Sequence, residues 1–246
     1  DNGRGPVRPV AALADAARAR GAVVRTDAVQ ACGKVPVDVE RLGVDLLSLS
    51  AHKMHGPKGA GALWVRRGAA ATALYRGGEH ERGVRPGTEN VAAIVGLGVA
   101  AEFAAAELEA RRARWTSLRR RIVDALENVP GVRVRSPEDA LPNTLSLGFE
   151  RAEGEAVLLG LDLAGVAVAT GSACSSGAME PSHVLQAMGY ARADAARSVR
   201  VSMHAATTSD DADGFVNALR AVVKRLHAVS EARGRGAVVD APQEFS

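Results

Sequence analysis

Residues 44–53 read VDLLSLSAHK. The run is short and nearly continuously apolar, and it ends in Ser50, His52 and Lys53. A run of this kind fits a strand buried on both faces better than one alternating between core and water. Two similar runs flank it. Residues 22–25, AVVR, lead into Thr26 and Asp27, and residues 61–66, GALWVR, follow a Gly-Pro-Lys-Gly turn. An Ala-rich helix precedes the first strand over residues 10–20, with Gly21 as its stop signal. Buried strands separated by helices predict an α/β fold with a mostly parallel sheet covered on both faces.

Residues 77–90, GGEHERGVRPGTEN, are polar and Gly-rich and read as a loop. An Ala-rich helix begins at about Val91, and a second helix covers about 108–128. The texture then changes. Short strands at 132–135, 143–149 and 198–203 alternate with helices near 154–163, 182–189 and 209–228. This predicts a large-domain portion over residues 1–109 and a smaller α/β C-terminal domain over 110–246, with a loose tail from about Ala232. No internal repeat is visible.

In open α/β sheets ligands bind beyond the carboxyl ends of the strands. Two such ends carry chemistry here: Asp27 with Gln30 three positions on, and Ser50, His52 and Lys53. Together they offer a carboxylate, an amide, a hydroxyl, an imidazole and an amine. Pyridoxal phosphate asks for that set, because its aldehyde needs a lysine, its ring nitrogen an acid and its phosphate several donors. A strand-end lysine that is simply solvated is the bland alternative for any one of these residues, but not for the five together. A metal site built on His52, His55 and His80 lacks a zinc-type spacing, and no CxxC pair is present.

Composition sharpens the reading of Lys53. Lys plus Arg total 31, yet only Lys34, Lys53, Lys58 and Lys224 are lysines. A lysine retained under such a bias points to what arginine lacks, an amine that can deprotonate and attack a carbonyl. Hydrophobic residues make up 47% and aromatics 3%, so the core is built from Ala, Val and Leu. A net charge of +3 is too small to argue for nucleic acid. No apolar run is long enough to span a membrane. Two cysteines form no disulfide framework, and the expectation is a cytoplasmic protein.

The second cysteine is unusual. Residues 169–177, ATGSACSSG, place Cys174 among serines and glycines, in what reads as an exposed loop. An exposed thiol there suggests use as a nucleophile, against the alternative of an incidental surface cysteine. Cys32, after the Asp27 strand, reads as buried structure. The arginines from Arg111 to Arg121 read as a solvated helix face, or else as a docking surface for an acidic partner.

With these motifs quoted, a resemblance can be named. Residues 27–68, DAVQACGKVPVDVERLGVDLLSLSAHKMHGPKGAGALWVRRG, strongly resemble the cofactor segment of cysteine desulfurases, fold-type I pyridoxal-phosphate enzymes of the class V aminotransferase group. GGEHERGVRPGTENV resembles their next motif. ATGSACSSG resembles the active-cysteine loop of the Ser-Ala-Cys subgroup, and SVRVSM the strand carrying their carboxylate-binding arginine. The likeness runs in register to about Leu226.

The resemblance implies that Lys53 holds pyridoxal 5'-phosphate covalently, that Asp27 pairs with the ring nitrogen and Gln30 with the ring hydroxyl, and that Ser50 and His52 bind the phosphate. Asn2 would contact ring and substrate. Thr88 would reach the phosphate bound by the other subunit of a homodimer. Arg200 would clamp the carboxylate of L-cysteine, and Cys174 would take its sulfur as a persulfide for an acceptor protein, leaving L-alanine. Acceptors in the family serve iron–sulfur cluster assembly, tRNA thiolation, cofactor biosynthesis or DNA phosphorothioation. No membrane and no direct nucleic-acid binding are expected. A selenocysteine lyase, another pyridoxal-phosphate enzyme such as an aminotransferase, or an inactive scaffold are the alternatives, although a plain aminotransferase needs no thiol.

The sequence also departs from the family. Members carry a long preceding stretch, with a Gly-Thr phosphate loop and a ring-stacking histidine, so this chain reads as part of a longer protein. The usual Asn-Asn-Glu start is Asp1-Asn2-Gly3, and His204 stands where a glycine is common.

Overall fold

The structure is a computed structural model and describes residues 4–170 and 181–236. The described chain is mixed α/β and divides into two compact units. The first is Val7–Ala113, and the described residues before and after it form the second.

In the first unit, α1 (Val10–Arg18) leads to β1 (Arg25–Asp27), α2 (Val39–Leu42), β2 (Leu46–Ser50), β3 (Gly61–Val65), α3 (Val91–Ala106) and the start of α4 (Leu108–Leu126). The sheet order is β1-β2-β3. β1 and β2 pair in parallel, with Asp27 opposite Ser48, as the sequence predicts. β3 turns back antiparallel, with Gly61 opposite Ser50. The short link between β2 and β3 explains the reversal, since a parallel return needs a crossover of a dozen residues or more. α2 was not anticipated. Asp38 caps it by accepting from the amides of Glu40 and Arg41, and Gly43 ends it with φ +64°, a left-handed conformation that favours glycine.

The core of this unit is small. Ala28, Val44, Leu47, Met54, Ala100 and Ala104 are buried, with Trp64 and Leu97 packed around them. α3 is apolar almost all round: Ala100 and Ala104 are buried, and Val95, Val99 and Phe103 are exposed. No single helix among the described residues is long and apolar enough to cross a membrane.

The second unit contains most of α4, then β4 (Val132–Val134), β5 (Thr144–Phe149), α5 (Gly154–Asp162), α6 (His183–Ala187), α7 (Arg192–Ala196), β6 (Ser198–Ser202) and α8 (Ser209–Gly236). The sheet β4-β5-β6 is antiparallel throughout. Every residue of the central strand β5 is buried, so both its faces are covered. α4 contributes Trp115 and Ile122 to the core, α5 Val157 and Leu161, and α8 Phe215 and Leu219. α8 runs through Gly236, past the point where the sequence suggested a tail.

The arginines of α4 form a solvated face only in part: Arg114, Arg120 and Arg121 are exposed, Arg119 is half-buried and Arg111 is buried. Arg111 is buried and ion-paired to Glu107 at 2.7 Å. Arg119 donates to the carbonyls of Pro137 and Glu138, and burial pushes its guanidinium below the usual range. Arg121 grips Asp213 of α8 with two bonds of 2.6 Å, and Arg114 bonds the Ala205 carbonyl. The Glu107–Arg111 pair lies within one helical turn of sequence, but the partners of Arg114, Arg119 and Arg121 lie farther along the chain, where the sequence could not show them.

Candidate functional site

β2 ends at Ser50, and the chain turns at once into a single 3₁₀ turn, Ala51–Met54, that carries His52 and Lys53. Backbone bonds close this corner. The Ala51 amide donates to the Ala60 carbonyl at 3.1 Å, and the Gly56 amide returns to the Ala51 carbonyl at 2.9 Å. His55 ends the turn in the left-handed region, at φ +67°. Opposite Ser50, Gly61 passes so close that a Cβ would lie 2.8 Å from the Leu49 carbonyl oxygen. α3 packs on the corner through small residues, with Gly56 against Ala100 and Gly96 against Pro57.

Within the corner, Ser50 Oγ and His52 Nδ1 share a hydrogen bond of 2.7 Å. One strand away, Asp27 is the last residue of β1. Its Oδ1 accepts from the Val29 amide at 2.9 Å, an Asx turn that sets the carboxylate at the strand end. The Ala28 amide donates to the Ser48 carbonyl at 2.9 Å, tying the start of the next turns to β2. Those turns hold Gln30, half-buried, and reach Val35. Parallel pairing therefore brings Asp27, Gln30, Ser50, His52 and Lys53 to one edge of one sheet.

The sequence reading assigned no role to Lys34. It is 8% exposed, and its Nζ donates to the Lys53 carbonyl oxygen at 3.4 Å. Burial first, and the Lys53 charge second, push its amine down to about 8, while Cys32 acts the other way. The one available signal was its survival as a lysine among so many arginines. Cys32 itself is buried, and burial pushes its thiol up, as suits a structural cysteine.

The remaining assignments fall on other elements. Thr88 is exposed, and its carbonyl accepts from Arg85 at 3.2 Å, just before Asn90 caps α3. Arg200 lies in the second unit, on β6 opposite Ser146, and exchanges backbone bonds with Ala169. His204 follows that strand. Its carbonyl accepts from Trp115 Nε1 at 2.9 Å, and its Nδ1 accepts from the Ala206 amide at 3.0 Å, so it holds the end of β6 to α4. Asn2 and Cys174 lie outside the described residues.

Chemically, the edge of the first sheet offers a carboxylate and an amine on neighbouring strand ends, with a hydroxyl–imidazole pair beside the amine. That donor set fits a ring with a basic nitrogen, an electrophilic carbon and an anionic group.

Known proteins resemble the chain closely. A cysteine desulfurase of Cereibacter sphaeroides is 47% identical over 232 residues, which cover 94% of this chain and 59% of that protein. A NifS-like protein of Rickettsia africae superposes with a TM-score of 0.84 at 29% identity, covering 91% of this chain and 60% of that one. A structure of SspA in complex with cysteine gives 0.67 at 34% identity, covering 82% and 56%. The chain thus spans about three-fifths of the length of the curated relatives it matches. The sequence profile of the aminotransferase class-V family matches residues 1–215, and the chain belongs to that family.

Proposed function

We propose that the full-length protein is a pyridoxal-phosphate-dependent cysteine desulfurase, acting on L-cysteine and passing its sulfur to an acceptor protein. The observation that carries the reading is the parallel β1–β2 pair, which sets Asp27 and Lys53 on adjacent strand ends beside the bonded Ser50 and His52. The relative named cysteine desulfurase and the neighbour solved with cysteine support the choice of substrate. The Cys174 loop separates this reading from a plain aminotransferase.

Lys53 would hold the cofactor and, once released from it, move a proton at the substrate α-carbon. Asp27 would pair with the ring nitrogen and Gln30 with the ring hydroxyl, while Ser50 and His52 would bind the phosphate. Bound there, the cofactor supplies an electron sink for charge developing at that carbon. Asn2 would contact ring and substrate, and Arg200 would grip the substrate carboxylate with its planar fork. The Cys174 thiolate would attack the substrate sulfur. A sulfur–sulfur bond forms as the carbon–sulfur bond breaks, the electron pair stays with carbon, and protonation there yields alanine. Cofactor binding thus falls to residues 1–109 and the sulfur relay to 110–246. Thr88 would reach the phosphate bound by the partner subunit, which makes the active form a homodimer, and the low cysteine count places it in the cytoplasm.

The test is mass spectrometry of the full-length protein after exposure to L-cysteine and pyridoxal phosphate. Alanine release with a sulfur adduct on the Cys174 peptide is expected, and the adduct should vanish in Cys174→Ala and Lys53→Ala. Bound cofactor without alanine or adduct would refute the persulfide reaction.

A further inference from the structure

We propose that Lys34 is a positioning residue for Lys53: its buried amine grips the Lys53 carbonyl and clamps the 51–54 turn against the turns that follow Asp27. The assignment rests on the role given to Lys53 above.

Three observations carry it. The first is placement. Lys34 ends the run of turns beginning at Ala28, where its amide donates to the Ala31 carbonyl at 3.0 Å. Its side chain crosses from the segment after β1 to the turn after β2, with Nζ 3.4 Å from the Lys53 oxygen. One residue therefore links the two strand ends that hold the opposite sides of the cofactor site. The second is proximity. Gly33, at φ +73°, runs so close to the same turn that a Cβ would sit 3.5 Å from Met54 Cγ and 3.2 Å from Ala104. The two segments are thus packed as well as bonded.

The third is chemical economy. A buried cation beside a second lysine is unfavourable for folding, and an apolar side chain of the same length would avoid the penalty. The chain nevertheless keeps a cation there, and it keeps lysine although it uses arginine nearly everywhere else. A single terminal amine can reach one carbonyl in a tight space, where a planar fork with five donors would leave most of them unmet. Carbonyls in the last turn of a helical segment have no partner within it, and a cation is the natural donor to them.

The clamp makes the direction of the Lys53 side chain depend on the Asp27 segment. The cofactor would be held by Lys53 on one side and Asp27 on the other, so a corner that rocks relative to Asp27 would lose one contact to keep the other.

Hydrogen exchange in the full-length, cofactor-free protein tests this without recourse to turnover. In Lys34→Met, the amides of residues 53–56 should exchange about ten-fold faster or more, while those of β6 stay within about two-fold. Lys34→Gln keeps a neutral donor and should fall between. At sub-saturating pyridoxal phosphate, borohydride trapping at Lys53 should fall in the same order. Unchanged exchange at 53–56 in both variants would overturn the proposal, as would a uniform rise along the chain, which marks a plain folding defect. If Lys34→Met does not fold, Lys34→Gln decides by the same reading. A wild-type protein that binds no pyridoxal phosphate would remove the proposed function, whereas the exchange comparison would still decide the clamp.

Discussion

The Lys34 amine gives a pH dependence whose sign and size follow from its surroundings. Folding moves it from an ordinary value of 10.5 down to about 8, chiefly through burial and next through the Lys53 charge. Between those values the unfolded chain holds a proton that the folded chain has released. Stability rises with pH wherever the unfolded state binds more protons, so Lys34 makes the fold more stable as pH climbs. From pH 7 to pH 9.5 the linkage relation gives a gain of about 2 kcal/mol at about 1.4 kcal/mol per pK unit. Groups away from Lys34 cancel in a difference against Lys34→Met, which fills similar space without a charge, so the difference reads Lys34 together with its coupling to Lys53 and Cys32. Urea unfolding of the full-length protein and the variant at both pH values measures that difference. The wild type should gain about 2 kcal/mol on the variant across the interval. Parallel curves, with no relative change, would show that the amine titrates as a solvated one and that its burial is not real in solution.

Two further predictions concern the second unit. A Cβ at Gly160 of α5 would lie 2.7 Å from Val222 Cγ1 of α8, and valine is stiff at χ1, so Gly160→Ala should cost about 1–3 kcal/mol. Adding Val222→Ala relieves the clash, so the double variant should be clearly more stable than the sum of the two single losses in urea; additivity would refute close packing there. Trp115→Phe keeps an aromatic ring but removes the Nε1 donor to the His204 carbonyl, which keeps its bond from the Thr207 amide at 3.2 Å, and it shrinks a buried side chain, at a loss of about 1–3 kcal/mol by the same assay; Trp115→Phe within error of wild type would remove that bond from the account of β6.

The long elements were legible because each carries its own signal. Apolar runs marked β2 and β5, although only Leu47 of β2 is buried where the whole of β5 is, and the start of α3 falls at the predicted Val91. The short ones were not. α2 rests on its Asp38 cap and Gly43 stop, α7 is five residues long without a side-chain cap and shows no period, and β1 begins at Arg25, where its apolar run was expected to end, because pairing with Leu46 sets the strand. The candidate-site residues were readable as types at two strand ends, and the parallel register is what joins them. The arginines of α4 and the burial of Lys34 were beyond reach, since both depend on partners that folding brings from elsewhere in the chain.

The two units solve the problem of rigidity differently, and the difference bears on where Lys53 sits. The second unit has a core with Trp115, Phe149 and Phe215 in it, and a central strand covered on both faces. The first has a core of alanines, a cysteine and a few larger aliphatics. Small side chains fix little by interlocking, yet they let backbones approach, as Gly56 does to Ala100 and Gly61 to the Leu49 carbonyl. Close approach allows the Lys53 corner to be held by main-chain bonds from Ala51 and Gly56. Such bonds are short, directional and hard to repack, whereas an apolar core tolerates exchange of one side chain for another. The role proposed for Lys53 would need its side chain held to within a fraction of an ångström, and the first kind of support suits that better than the second. The same reasoning makes Gly61 the sensitive neighbour of the site. Any side chain there would push directly on the Leu49 carbonyl of the strand that ends in Ser50.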